Sequence, residues 1–215
     1  MRLNNTILFL PLLISTFLSL TDSNRDWVMK KNENGIAVYT SIKESHKIKE
    51  VKIIDTVRSS LSGIVALLND TKNYPTWVYR CGGAKVLKSI TDKEQYNYEL
   101  TILPWPFDNR EVITYSKVSQ DSLTKIVTIE SSAAPGYMPC NDNIVRIKQF
   151  HSVYTLTKLT NGLVKIDYEL YADPGGDIPT WLINANIIIG PYNSTAAMNK
   201  QIPNYQLTTY SFIKE

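Results

Sequence analysis

Along most of residues 35–172 the apolar positions recur at every second residue. Residues 35–43 (GIAVYTSIK) place Ile36, Val38 and Ile42 on one side, and residues 48–57 (IKEVKIIDTV) do the same with Val51, Ile53 and Val57. This period predicts two half-buried strands, and the polar stretch between them predicts a hairpin. Residues 60–69 change period. Leu61, Ile64, Val65 and Leu68 fall at helical spacing, with Ser60 placed as a cap. Residues 73–78 predict a second short helix with Pro75 early in it, and Gly82-Gly83 predicts a break.

Six more strand-like runs follow, over residues 84–90, 95–103, 110–120, 123–132, 144–159 and 163–172. Asn161-Gly162 between the last two is a strong hairpin signal, because both residues tolerate positive φ. Residues 133–143 (AAPGYMPCNDN) form a longer loop, either covering a cavity mouth or serving only as a connection. Tyr96, Tyr98, Leu100 and Ile102 share one side of their strand, and Val164, Ile166, Tyr168 and Leu170 share one side of theirs. One apolar and one polar face is the pattern of an antiparallel sheet covered on one side.

The cover comes last. Asp173-Pro174-Gly175-Gly176 stops the final strand, and residues 177–206 predict one long apolar helix with Asp177 as N-cap and Pro179 in its first turn. Trp181, Asn184 and Ile188 lie on one face of it, and Leu182, Ala185 and Ile189 form a second row. Gly190-Pro191 is either a hinge or a break between two shorter helices. The fold class is therefore α+β: a curved antiparallel sheet wrapped around a C-terminal helix, with room for a cavity between them.

Length and charge narrow this picture. A chain of 215 residues with net charge +3 suits one domain with a substantial core, and its scattered Lys and Arg argue against nucleic acid as a partner. Residues 1–23 read as a signal peptide, with Arg2, an apolar run over 7–20 and small or hydroxyl residues after it; an uncleaved anchor is the alternative. No Cys follows the run, which argues against a lipoprotein anchor. The expected domain is residues 24–215, secreted or periplasmic. In an oxidising compartment Cys81 and Cys140 can pair, though nothing fixes their separation. Two His, two Cys and no clustered acids predict no metal site and no cofactor.

Three stretches carry a resemblance: Trp105-Pro106-Phe107-Asp108-Asn109-Arg110-Glu111, Val145-Arg146-Ile147, and the run from Asp173 to Asn184 (DPGGDIPTWLIN). With the strand order they resemble the steroidogenic acute regulatory-related lipid transfer (START) family, as a single-domain secreted member of bacterial type. Glu111 stands where that family usually has Asp. The resemblance implies a helix-grip fold enclosing a hydrophobic tunnel for one lipid, with the C-terminal helix and nearby loops as the lid. It also implies binding rather than a reaction, since most members catalyse none. This chain has no long N-terminal helix before its first strand, which leaves one end of the cavity differently closed.

The candidate ligand-binding residues are Arg110, Tyr98, Tyr115, Tyr168, Trp181, Asn184 and Ile188. Arg110 resembles an Arg of phosphatidylcholine transfer members that meets a charged headgroup. Inside an apolar tunnel it needs an anion: a lipid phosphate, a carboxylate, or an internal acid such as Glu99 or Glu111. A structural ion pair or an exposed position is the alternative. The three Tyr either offer hydroxyls to a ligand or bond to backbone as ordinary core residues. Asn184 needs a partner, from a ligand or from backbone. Trp77 and Trp105 are expected in the core. His46 is expected exposed, and neither it nor His151 accompanies a nucleophile and an orienting third residue; no GxSxG occurs.

The function expected is binding, and transfer, of a sterol, phospholipid or fatty-acid-like molecule by a monomer that touches membranes transiently. The rival is an enzyme of polyketide cyclase or hydrolase type on the same architecture, for which Glu99 with Arg110 is the pair to inspect.

Overall fold

The computed structural model describes residues 25–215; the signal-peptide segment lies outside them. Ten strands form one sheet: β1 (Val28–Glu33), β2 (Ile36–Ser41), β3 (Glu50–Arg58), β4 (Cys81–Thr91), β5 (Glu94–Thr101), β6 (Asn109–Gln120), β7 (Val127–Ala133), β8 (Ile144–Arg146), β9 (Gln149–Lys158) and β10 (Leu163–Asp173). Their spatial order is β1-β2-β3-β10-β9-β7-β6-β5-β4, all antiparallel, with β8 running parallel to β6 off this path. Helix α1 (Leu61–Asn69) and a 3-10 turn (Thr71–Thr76) connect β3 to β4, and α2 (Thr180–Asn186) and α3 (Ile189–Gln201) follow β10.

The curved α+β sheet is as the alternation predicted, with four local departures. β1 falls in what reads as a short lead-in segment. It is an edge strand with Val28 and Met29 both exposed, so no alternation marks it. The signal lies in its turn, Asn34-Gly35, where both residues have positive φ (54° and 81°). Gly82-Gly83 does not break the chain but sits inside β4 at a register shift. A Cβ on Gly82 would fall 2.6 Å from the Ile102 side chain, so the glycine permits a close approach. β7 starts at Val127 because Asp121 Oδ1 accepts from Leu123 N, Thr124 N and Thr124 Oγ1, which holds the turn before it. The run 144–159 is split into β8 and β9.

The single long helix is a pair. α2 ends at Asn186, Ile187 and Ile188 form the break, and α3 begins at Ile189. Pro191 sits in the first turn of α3, where a missing N–H costs no helical bond, so the break precedes it. The first helical residue is Thr180, with Pro179 rather than Asp177 at the N-cap.

Two apolar clusters hold the layers together. One joins Leu61, Ile64 and Leu67 of α1 to Val118, Ile129, Leu156 and Ile166 of the sheet and to Met198 of α3. The other packs Tyr192 on Ile36, Val38, Val51 and Ile53, with Ile187 and Ile188 beside it. Two polar ties add to them. Asn199 Nδ2 donates to Asp55 Oδ2 (2.7 Å), and the Glu215 carboxylate accepts from Leu61 N and Ser62 N (both 2.9 Å) at the N-terminus of α1.

Candidate functional site

A cavity of about 370 Å³ lies between the sheet, the 3-10 turn and α3. Its apolar walls include Leu68, Trp77, Val112, Ile129 and Leu170, and α3 contributes Gly190, Pro191 and Ser194. Tyr154 and Tyr168 stack against each other on its sheet side, with centroids 3.9 Å apart at 13°. Tyr79 N donates to Ser194 Oγ (2.9 Å), tying the segment before β4 to α3 at the rim.

A polar stripe crosses this apolar chamber, and strand register produces it. Gln95 faces Ser116 across β5–β6, Ser116 faces Ser131 across β6–β7, and Ser131 faces Ser152 across β7–β9. All four line the cavity. One step along, Asn97 faces Thr114, and next Glu99 faces Val112. Asn97 Nδ2 donates to Ser116 Oγ (3.2 Å), which shares a 2.7 Å hydrogen bond with Ser131 Oγ. Asn97 Oδ1 and Trp77 Nε1 are buried with no hydrogen-bond partner.

Burial pushes the Glu99 carboxyl up to about 7. Among the described residues, nothing donates a hydrogen bond to it or forms an ion pair with it. Burial and the charge of Glu99 together push the Cys81 thiol up to about 11. Cys81 and Cys140 are free thiols. Among the described residues no three His, Cys, Asp or Glu gather to hold a metal ion.

The seven sequence candidates do not form one site. Tyr168 lines the cavity. Tyr98 borders it, but its hydroxyl reaches Asn141 Nδ2 (3.4 Å), beside Glu111. Tyr115 lies beside Tyr96, which stacks on Tyr137 of the 133–143 loop, and is not a cavity residue. Tyr96 and Tyr98 of the apolar row of β5 therefore meet that loop, while its polar row, Gln95, Asn97, Glu99 and Thr101, lines the cavity. The loop is a clamp on the outer face and not a cover for the mouth.

Arg110 is only 3% exposed, yet it meets neither Glu99 nor Glu111. It donates to the backbone oxygens of Asp108 (2.5 Å), Pro174 (2.9 Å) and Gly175 (3.1 Å), fastening the turn after β10 to the β5–β6 loop. Gly176, at φ 66°, leaves the room this needs: a Cβ there would stand 2.9 Å from the Arg110 guanidinium. Asn184 takes the backbone alternative, accepting from Lys49 N (2.9 Å) and donating to Lys47 O (3.0 Å). Ile188 packs in the cluster around Tyr192. Trp181 is 72% exposed, and Trp105, expected in the core, is 92% exposed, whereas Trp77 is buried. His46 is only partly exposed and stacks on Tyr171.

The serine ladder, Asn97, Thr114 and Tyr154 were not singled out in the sequence. Their signal was present as the polar positions of alternating strands, which read equally well as a solvent face.

Residues 15–188 match the START domain, so the chain belongs to that family. It is 25% identical over 193 residues to the phosphatidylcholine transfer protein of Mus musculus, covering 86% of this chain and 87% of that one. It is 26% identical over 169 residues to an uncharacterised protein of Pseudomonas aeruginosa, covering 79% and 83%. Among solved structures, a STAR-related lipid transfer protein fragment from Xanthomonas axonopodis superposes with a TM-score of 0.77 at 27% identity, over 82% of this chain and 98% of that one. The fold is thus the START fold, and lipid binding or transfer is the general activity these relatives support.

Proposed function

We propose that this protein binds a single lipid-like molecule in the cavity and carries it between membranes without chemical change. The carrying observation is the cavity itself: apolar walls exclude water from a hydrocarbon body, and one polar stripe fixes the end that bears the head. Sterols, phospholipids and fatty-acid-like molecules all belong to the class. The gate is the α2–α3 pair. Its break at Ile187–Ile188 supplies the pivot, and Asn184 and the Tyr79–Ser194 bond are the contacts that opening would break.

Membrane contact fits two exposed tryptophans, Trp105 and Trp181. Trp105 sits in the β5–β6 loop and Trp181 follows the turn after β10, and Arg110 holds these two segments together. Tryptophan favours the membrane–water interface. The apolar run over residues 7–20 supports export, with the domain acting outside the cytoplasm as a monomer.

The test is native mass spectrometry of the purified chain, with organic extraction of what copurifies. A stoichiometric lipid released on unfolding is the expected result. A protein that arrives empty and takes up no sterol, fatty acid, phospholipid or long-chain amine from a mixed pool overturns the reading and turns attention to small-molecule turnover.

A further inference from the structure

The inward face of β5 carries acceptors with no donor to meet them. Glu99 borders the cavity with no hydrogen bond or ion pair among the described residues, and two positions away Asn97 Oδ1 is buried and unpartnered. The titratable groups that feel its charge are weak acids on four elements: Tyr74 on the 3-10 turn, Cys81 on β4, Tyr154 on β9 and Tyr168 on β10. None supplies a positive charge. Of the described residues lining the cavity, Arg80 is the one cation, and it is exposed.

We propose that the cavity selects an amphiphile whose head is a protonated amine, with Glu99 as its counter-charge. This deepens the lipid-binding reading and rests on it. A carboxylate without a partner in a largely apolar cavity is costly, and a ligand ammonium supplies both the opposite charge and hydrogen-bond donors. Its N–H groups meet Glu99 and the free Asn97 Oδ1, with the hydroxyls of Ser116 and Ser131 as further acceptors. A phosphate or carboxylate head finds the reverse, a carboxylate beside it with the nearest lining cation at the exposed Arg80. Size points the same way. About 370 Å³ lies near the lower end of the roughly 300–1,000 Å³ that drug-sized ligands occupy, which suits one chain rather than two.

Proton competition gives the proposal a second signature. Glu99, pushed up to about 7, is ionised at pH 8 and mostly protonated at pH 5.5. A ligand that needs the carboxylate then binds roughly thirtyfold more weakly at the lower pH. An alkylamine stays protonated throughout this range, so the change belongs to the protein.

Calorimetric titration of the lipid-stripped full chain with decylamine, decanol and decanoate tests this. The expected result is that decylamine binds at least tenfold more tightly than either other probe at pH 8, and loses that advantage by pH 5.5. Glu99→Gln should abolish both the preference and the pH dependence. If decanol or decanoate binds as well as the amine at pH 8, this proposal fails and the lipid-binding reading stands. If none of the three binds, the amine proposal fails, and uptake from the mixed lipid pool decides the lipid-binding reading. A pH-independent amine affinity in the unsubstituted protein also overturns the proposal, whether or not the variant folds.

Discussion

The Arg146 guanidinium grips Glu111 Oε1 through both Nε (2.9 Å) and Nη2 (2.6 Å), with the two side chains 2% and 0% exposed. Its remaining donors reach the backbone oxygens of Pro135, Met138 and Pro139, and Asn141 Nδ2 caps the second carboxylate oxygen. One ion pair thus pins the 133–143 loop to the outer face of β6. Burial alone would raise the Glu111 carboxyl, but hydrogen bonds from Asn141 and Arg146 outweigh it and hold the group below its usual range.

Removing one partner of this pair strands the other. Arg146→Leu should lower unfolding free energy by about 3–5 kcal/mol in urea titration. The sign with pH follows from the depressed carboxyl: its contribution is present above the unfolded-state value and is lost as pH falls through the folded one. The variant should therefore differ least from the unsubstituted protein in strong acid.

Arg110 predicts a structural phenotype rather than a change of ligand. Its three bonds all end on main-chain oxygens, so Arg110→Leu should cost about 2–4 kcal/mol of stability. Arg110→Lys should rescue little, because an ammonium cannot span the acceptors a planar fork reaches. Thermal unfolding measures the first effect, and extraction of copurifying lipid should show the same head class in both variants.

Asn184 is where the proposed gate can be loosened without touching the cavity. Asn184→Ala removes both bonds to the β2–β3 connection and should cost about 1–2 kcal/mol. Transfer between donor and acceptor vesicles should then become faster, by severalfold, if opening limits release. An unchanged rate would place the limiting step elsewhere.

Glu99 makes stability itself depend on pH. Its folded-state value is raised to about 7, so between the ordinary carboxylate range and 7 the unfolded chain has lost a proton that the folded chain keeps. Stability falls as pH rises through that window, by on the order of 2 kcal/mol. In the empty protein Glu99→Gln should flatten this slope and give the more stable chain at pH 8, read from urea midpoints across pH 5–8.

Trp105 and Trp181 should matter to membranes and not to folding. Both are largely exposed, so alanine at either should leave the melting temperature within about a degree or two, consistent with surface changes within roughly 0.5 kcal/mol. Sedimentation with phospholipid vesicles should fall for each variant and further for the pair.

Period and turn chemistry carry the sheet and most of its connections in the sequence itself. The alternation in β2, β3 and β10, the Asn161-Gly162 hairpin and the Ser60 cap are local properties, and each is where the pattern puts it. The inward face of β10, with Val164, Ile166 and Tyr168, was equally legible. The site was not, because alternation separates two faces of a strand without saying which is inside. On β5 the polar row lines a chamber while Tyr96 and Tyr98 of the apolar row meet a loop, the reverse of the usual assignment. Hydroxyls that look like a solvent face become a ladder only when register brings Ser116, Ser131 and Ser152 abreast on three strands. Arg110 and Asn184 read as ligand contacts until the turn after β10 and the β2–β3 connection arrive beside them with main-chain groups. Those neighbours are distant in sequence, and a buried polar group takes whichever partner the tertiary fold delivers.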